Sequence, residues 1–163
     1  MPDGLHVRAA KRGDYAALHE MYRAVHAQHR AAAPALFTDA DPLPEDAFFA
    51  ALDDARALWL VAERDGEAVG FCAARIQRPA KDPLLHTQRT AFLEALYVRA
   101  AFRRSGVGTA LYRKLAALAR LHGALAVELI VWPFNAEALR FYESLGMSPR
   151  CTVLEQALTD PEK

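Results

Sequence analysis

The feature that most constrains the fold of this chain is a glycine-containing turn between an apolar strand and a long amphipathic helix. Thr90–Val98 predicts the strand, and the stretch from Val107 to about His122 predicts a helix that Gly123 ends. The turn Arg103-Arg104-Ser105-Gly106-Val107-Gly108-Thr109 lies between them. In such a turn successive backbone N–H groups converge, and the following helix adds its unpaired N–H groups and positive dipole end. The turn therefore predicts a pyrophosphate site, to which two arginines would add charge-assisted hydrogen bonds.

Other phosphate-binding motifs fit this turn less well. A Walker sequence requires Gly-Lys-Ser/Thr after four intervening residues, and the chain has none. A dinucleotide fingerprint would need a third glycine at position 111, which is Leu111. A tight strand-to-helix turn with solvent-facing arginines remains the alternative interpretation.

The remaining hydrophobic patterns predict a single α+β domain. Its layers would be α/β/α, with a mixed, mostly antiparallel sheet of six to seven strands flanked by about four helices. The domain would span 1–163, with a core of about 5–158. The turn Arg64–Glu67 has Asp-Gly at its centre and predicts a hairpin, whereas Arg78–Gln88 predicts a long exposed connection. The predicted strands are Leu5–Ala9, Leu58–Ala62, Ala68–Gln77, Thr90–Val98, Ala124–Val131 and Cys151–Leu158, and the predicted helices are Asp14 to about His29, Pro44–Asp54, Val107 to about His122 and Asn135–Leu145.

Composition excludes several classes of protein. The 20 Lys and Arg residues balance the 20 Asp and Glu residues, which argues against a dedicated nucleic-acid binder. Cys72 and Cys151 lie far apart, so we expect no disulfide framework and no metal site, and both cysteines as small buried hydrophobic residues. The sequence has no apolar stretch long enough to span a membrane and no signal peptide, so a cytoplasmic location is expected.

Two motifs resemble signatures of one enzyme superfamily. Arg103-x-x-Gly106-x-Gly108 resembles the acetyl-coenzyme A pyrophosphate loop of the GNAT N-acetyltransferases. The segment Asn135-x-x-Ala138-x-x-Phe141-Tyr142-x-x-Leu145-Gly146-Met147 resembles their second signature. The predicted order of elements agrees with this fold from Leu5 to Leu158.

The resemblance implies acetyl-coenzyme A as co-substrate. It also implies that the strand ending at Val98 splays from its parallel neighbour near Leu96 and Val98, which would free backbone N–H groups for the acetyl oxygen and the pantetheine amides. The residues expected to contact coenzyme A are Leu96, Tyr97, Val98, Arg103, Arg104, Ser105, Gly106, Val107, Gly108, Thr109, Asn135 and Phe141.

Glu94 is the candidate general base. Strand alternation predicts that its side chain shares a face with Phe92, Leu96 and Val98. A carboxylate on a largely apolar face holds protons more tightly, and it could take the proton of an ammonium substrate directly or through water. The alternatives are that Glu94 lies on a solvated face or pairs with a nearby arginine.

Tyr142 is the candidate acid for the departing thiolate. A phenol has an ordinary pKa of about 10 against about 8.5 for a thiol, so a hydrogen bond to sulfur is expected rather than assured proton transfer. The alternative role is that of a core aromatic residue. Asn135 is predicted to cap the last helix, and the resemblance adds a contact to coenzyme A.

These assignments predict acetyl transfer to a primary amine of a small molecule or a protein by direct attack. The alternative is a non-catalytic coenzyme A-binding or sensing domain of the same fold, and a third hypothesis is a structural interaction protein. The sequence does not choose the acceptor. An acidic stretch between Asp39 and Asp54 could attract a cationic amine or could be a solvated helix, and a homodimer is common in this family.

Overall fold

The computed structural model describes residues 4–84 and 87–158, which form two compact units divided between Ile130 and Val131. Leu85 and His86, in the predicted connection, lie outside the described residues. The elements of the first unit are β1 (Leu5–Ala9), a 3₁₀ turn (Arg12–Asp14), α1 (Tyr15–Ala32), α2 (Glu45–Asp53), β2 (Ala57–Arg64), β3 (Glu67–Gln77), β4 (Thr90–Val98), a second 3₁₀ turn (Ala100–Phe102), α3 (Val107–Leu121) and β5 (Ala126–Glu128).

A mixed five-stranded sheet in the order β1-β2-β3-β4-β5 organises the first unit. Neighbouring strands are antiparallel except β4 and β5, which are parallel. The predicted hairpin joins β2 to β3. Asp65 and Gly66 both have positive φ, 51° and 81°, which matches the type I′ turn that an Asp-Gly pair favours.

Helices cover both faces of this sheet, as the predicted α/β/α layering requires. On one face Leu18 of α1 and Phe48 of α2 belong to the same buried cluster as Trp59 and Phe71 of the sheet. On the other face α3 packs against β2, β3 and β4. The buried stripe of α3 contains Val107, Leu111 and Leu115, as its spacing predicts.

The predicted number of strands is wrong, although the α+β class is confirmed. The described residues contain five strands rather than six to seven. The predicted central strand Ala124–Val131 is a three-residue strand at the sheet edge, and Cys151–Leu158 has no regular secondary structure. An apolar pattern forms a strand only where a neighbouring backbone pairs with it, and 151–158 pairs with none of the described strands. Val153 and Leu154 are each 90% exposed.

The second unit contains the last helix, α4 (Ala136–Ser144), whose start after Asn135 and stop before Gly146 agree with the prediction. That one domain spans the whole chain remains a prediction. Within 4–84 and 87–158, no helix is both long and apolar enough to cross a bilayer. Cys72 is buried as predicted, but Cys151 is exposed, because the strand expected to bury it does not form.

Candidate active site

The turn before α3 has the backbone geometry of an anion site. Arg104 and Gly106 both adopt left-handed dihedral angles, with φ of 62° and 85°. Left-handed residues in a turn direct neighbouring N–H groups toward the same concave side. A residue with a β-carbon rarely adopts this conformation, so Arg104 holds it against a local energy cost.

The helix that follows the turn adds further donors. The amide of Ala110 donates to the carbonyl of Gly106 at 2.9 Å, the first hydrogen bond of α3. The N–H groups of Val107, Gly108 and Thr109 therefore precede the intrahelical ladder, at the positive end of the helix dipole. Gly106 is exposed, and a β-carbon there would meet nothing within 4 Å, so the turn is open to a ligand.

The two arginines of the turn have different surroundings. Arg103 donates from Nε to the carbonyl of Val98 at 3.1 Å, and its guanidinium lies 5.6 Å from the centre of the Tyr97 ring. Ser105 donates from Oγ to the carbonyl of Phe102 at 2.7 Å. These contacts brace the turn against the end of β4. Arg104, by contrast, is exposed.

The parallel strands β4 and β5 separate where the resemblance implies a splay. Their pairing extends from Thr90 opposite Ala126 to Phe92 opposite Glu128, and β4 then continues to Val98. Nothing described pairs with this last part of β4 on its β5 side.

Alternate residues of β4 direct their amides toward β3 and away from it, which shows the amides that point toward the side of β5. The amide of Arg99 donates to the carbonyl of Val69 at 2.9 Å, so the odd-numbered residues just before it face β3. Leu96 and Val98 therefore direct their N–H groups away from β3, toward the side that β5 has left. The amide of Tyr97 points toward β3 instead.

A β-bulge at Glu94 changes the faces expected for the residues of β4 that follow it. Ala95 pairs with Ala73 and Leu93 pairs with Ala74, so Glu94 is an extra residue without a partner on β3. The bulge reverses the alternation beyond it. Leu96 and Val98 pair with Cys72 and Gly70, which face α3. The prediction that Glu94 shares a face with Leu96 and Val98 is therefore wrong, whereas Phe92, which lies opposite Arg75, is on the Glu94 face as predicted.

Glu94 also lies in more polar surroundings than predicted. Its side chain is 36% exposed, and Oε1 is 3.6 Å from Nε of Arg75. Tyr22 of α1 is close enough that the negative charge of Glu94 adds to burial, the larger cause, in raising the pKa of that tyrosine. The alternative of pairing with a nearby arginine is what the structure shows.

Arg75 is the neighbour of the candidate base that sequence reasoning did not identify by number. It is the one ionic side chain inside the run Phe71-Cys72-Ala73-Ala74-Arg75-Ile76 of β3. A lone cation in an apolar strand needs a partner, and that requirement was the available signal.

The other candidate residues lie in the second unit. Asn135 caps α4 as predicted, with Oδ1 accepting a hydrogen bond from the amide of Ala138 at 3.2 Å. The rings of Phe141 and Tyr142 are 5.1 Å apart between centroids, and both residues are half-buried. In the described part of the chain, no cluster of three or more His, Cys, Asp or Glu residues is placed to hold a metal ion. Burial raises the pKa of the Cys72 thiol to about 12, which keeps that thiol protonated and unreactive near neutral pH.

Comparisons with known proteins identify a family and relatives for this chain. Residues 16–147 match the family model described as "Acetyltransferase (GNAT) family". The curated relative "N-acetyltransferase family 8 member 3" of Mus musculus is 37% identical over 86 residues, which are 53% of this chain and 36% of that protein. The "Thialysine N-epsilon-acetyltransferase" of Caenorhabditis elegans is 40% identical over 53 residues, covering 32% of this chain and 33% of the relative. The chain thus spans about a third of the length of these relatives.

Solved structures share the fold. A mutant of the BH1408 protein from Bacillus halodurans has a TM-score of 0.89 at 24% identity, covering 94% of this chain and 99% of that one. An aminoglycoside 6'-N-acetyltransferase from Acinetobacter haemolyticus has a TM-score of 0.69 at 22% identity, covering 95% of this chain and 99% of that one.

Proposed function

Because the chain belongs to the GNAT acetyltransferase family, we propose that it transfers an acetyl group from acetyl-coenzyme A to a primary amine. The observation that carries the proposal is the turn before α3, where left-handed residues and the helix N-terminus combine several N–H donors. A pyrophosphate is the anion that such a turn suits, because its oxygens can accept several N–H groups at once.

Coenzyme A would be held by two sets of groups in the first unit. The turn Arg103–Thr109 would bind the pyrophosphate, with the exposed Arg104 adding charge. The amides of Leu96 and Val98, which point away from β3, would bind the pantetheine arm and the acetyl carbonyl oxygen. Tyr97 would support Arg103 through its ring. From the second unit we propose that Asn135 and Phe141 contact coenzyme A, on the basis of the sequence motif.

The proposed reaction is a direct attack in which no covalent enzyme intermediate forms. The amine nitrogen attacks the thioester carbonyl carbon, and the negative charge that develops on oxygen is stabilised by N–H groups of β4. The carbon–sulfur bond then breaks. Before the attack, an ammonium substrate loses one proton to Glu94, directly or through water, which gives the neutral amine that attacks. After the attack the nitrogen gives up a second proton, which balances the proton that the departing thiolate takes up with the help of the Tyr142 hydroxyl.

The acceptor is proposed as a cationic primary amine. Glu94 is exposed and carries the negative charge that would draw an ammonium group toward the splayed end of β4. One relative is named for thialysine as its acceptor, and one structural neighbour is named for aminoglycosides. We therefore propose the reaction class without selecting among small amines, lysine side chains and protein N-termini.

A two-step experiment tests the proposal. Calorimetry with coenzyme A should show binding, and a thiol-release assay with acetyl-coenzyme A and a panel of amines should then show turnover. Binding without thiol release for any amine would favour the non-catalytic coenzyme A-binding alternative. Absence of binding at saturating coenzyme A would contradict both.

A further inference from the structure

Arg75 lies between two carboxylates on the α1 and α2 side of the sheet. Its Nη1 donates to Oδ2 of Asp54 at 2.5 Å, and its Nε is 3.6 Å from Oε1 of Glu94. The two contacts use different edges of the guanidinium, so one arginine can hold both groups at the same time.

Asp54 is a fixed anchor rather than a mobile surface group. It is the residue after α2, and its Oδ1 accepts the backbone amide of Arg56 at 2.9 Å. That hydrogen bond is the largest cause that lowers the pKa of Asp54, and the side chains of Arg56 and Arg75 add to it. Asp54 therefore stays ionised across the neutral range and fixes one edge of Arg75.

Arg75 is also fixed through its backbone. It is paired on both sides in the sheet, opposite Ala57 of β2 and Phe92 of β4. Glu94 lacks this support because the bulge leaves it outside the ladder. In 4–84 and 87–158, the ion pair shown for the Glu94 carboxylate is the one with Arg75.

We propose that Arg75, anchored by Asp54, is a positioning residue that orients the carboxylate of Glu94 to receive the acceptor amine. This inference rests on the proposed function, in which Glu94 is the base. Arg75 acts through Glu94, and no contact between Arg75 and the reacting atoms is required.

The proposal predicts a specific pH dependence. Tyr22 of α1 and Arg75 of β3 interact with Glu94. Asp54, at the end of α2, contacts the same arginine, and Glu128 of β5 lies in the sheet opposite Phe92. Arg75 is the cation among them. A carboxylate that loses a neighbouring cation keeps its proton to a higher pH, and partial exposure makes the change modest, about 0.5 to 1 pH unit.

The test compares Arg75→Gln with the wild type in the full chain. The acid limb of the kcat/KM profile, measured with acetyl-coenzyme A and the best amine of the panel, should move up by about 0.5 to 1 pH unit. A carbon-13 NMR titration of the Glu94 side-chain carboxyl should show the same displacement. The KM for acetyl-coenzyme A should not change.

Two further variants separate positioning from a structural role. Arg75→Lys keeps the positive charge but loses the planar guanidinium that can hold two carboxylates at once. The acid limb of the kcat/KM profile should therefore return to its wild-type position, while kcat stays below the wild-type value. Asp54→Asn leaves Arg75 more available to Glu94, so the titration of Glu94 should move to lower pH. This shift is opposite in direction to that of Arg75→Gln. Arg78→Gln is the matched control, since Arg78 is exposed just beyond β3, and it should reproduce both wild-type curves.

The outcomes distinguish this inference from the proposed function. Overlapping Glu94 titrations for wild type and Arg75→Gln overturn the positioning role, whether or not the enzyme turns over. A displaced NMR titration without thiol release supports the ion pair but contradicts the proposed function. If Arg75→Gln does not fold, the titration of the Glu94 carboxyl in the Asp54→Asn variant tests the inference. A midpoint for Glu94 that is unchanged or moves to higher pH overturns it.

Discussion

Gly70 of β3 lies so close to Tyr97 of β4 that a β-carbon on the glycine would be 2.8 Å from the tyrosine carbonyl oxygen. The same β-carbon would be 3.3 Å from the side chains of both Val107 and Leu111 of α3. The absence of a side chain thus lets β4 and α3 approach each other. These two elements carry the β4 amides that point away from β3 and the turn before α3, which are the two proposed coenzyme A-binding segments of the first unit.

Gly70→Ala should therefore destabilise the fold by about 1–3 kcal/mol, because an added methyl group forces the strand or the helix to move. Denaturant unfolding followed by circular dichroism measures the change. Gly13→Ala is the control, since a β-carbon at Gly13 meets nothing within 4 Å, and its unfolding midpoint should stay near that of the wild type. Equal midpoints for both variants would show that β3 and α3 accommodate the methyl group freely.

Gly106→Ala should weaken coenzyme A binding about tenfold, equivalent to ~1.4 kcal/mol, because alanine resists the left-handed conformation that aims the N–H groups. Gly66→Ala is a closely matched control. Its φ of 81° compares with 85° at Gly106, and neither site has an atom within 4 Å of an added β-carbon. Both variants should lose about 1 kcal/mol of stability through the same backbone strain. Calorimetry should show weaker binding for Gly106→Ala alone, and equal affinities would remove the turn from the site.

Tyr142→Phe should lower kcat by about 10²-fold while the KM for acetyl-coenzyme A stays nearly constant, because the lost hydroxyl acts on the departing thiolate. Steady-state thiol release measures both constants. Tyr112→Phe removes a comparable half-buried hydroxyl from α3 and should leave kcat unchanged. If the Tyr142 variant keeps the wild-type kcat, the hydroxyl has no role in the reaction and this tyrosine is a packing residue only.

Asp14→Asn should lower the free energy of unfolding at neutral pH by about 1–3 kcal/mol, because a two-pronged pair with Arg8 is lost. Arg8 donates from Nη1 and Nη2 to the two oxygens of Asp14, each at 2.8 Å, and the amide of Lys11 donates to Oδ2 at 2.7 Å. The hydrogen bond from Arg8 is the largest cause that lowers the pKa of Asp14 below its ordinary 3.8.

The sign of the pH dependence follows from this lowered pKa. The stabilisation by Asp14 is fully present above the ordinary value of 3.8 and is lost as pH falls through the lower folded value. The stability difference between wild type and Asp14→Asn should thus be constant near pH 7 and shrink in the acid range. The exposed Asp39→Asn serves as control and should show little difference at any pH. A difference that does not shrink in acid would contradict the charge-based explanation.

Much of the fold could be predicted from local pattern. Helix periodicity identified the buried stripe of α3, the Asp-Gly pair identified the hairpin, and Asn135 and Gly146 marked the ends of α4. These features depend on residues close together in sequence, so they can be predicted from the sequence alone. The position of the glycine turn between β4 and α3 was determined in the same way.

The surroundings of Glu94 were decided by tertiary structure. Alternation along a strand holds only while the ladder is unbroken, and the single unpaired residue at Glu94 reverses the faces of Leu96 and Val98. The pairing of Glu94 with Arg75 joins two strands, and the anchor Asp54 lies 21 residues before Arg75. The early end of β5 and the unpaired 151–158 segment depend on which backbones meet in space. Hydrogen-bond registers and ion pairs between distant residues are set only when the chain has packed, and no local pattern encodes them.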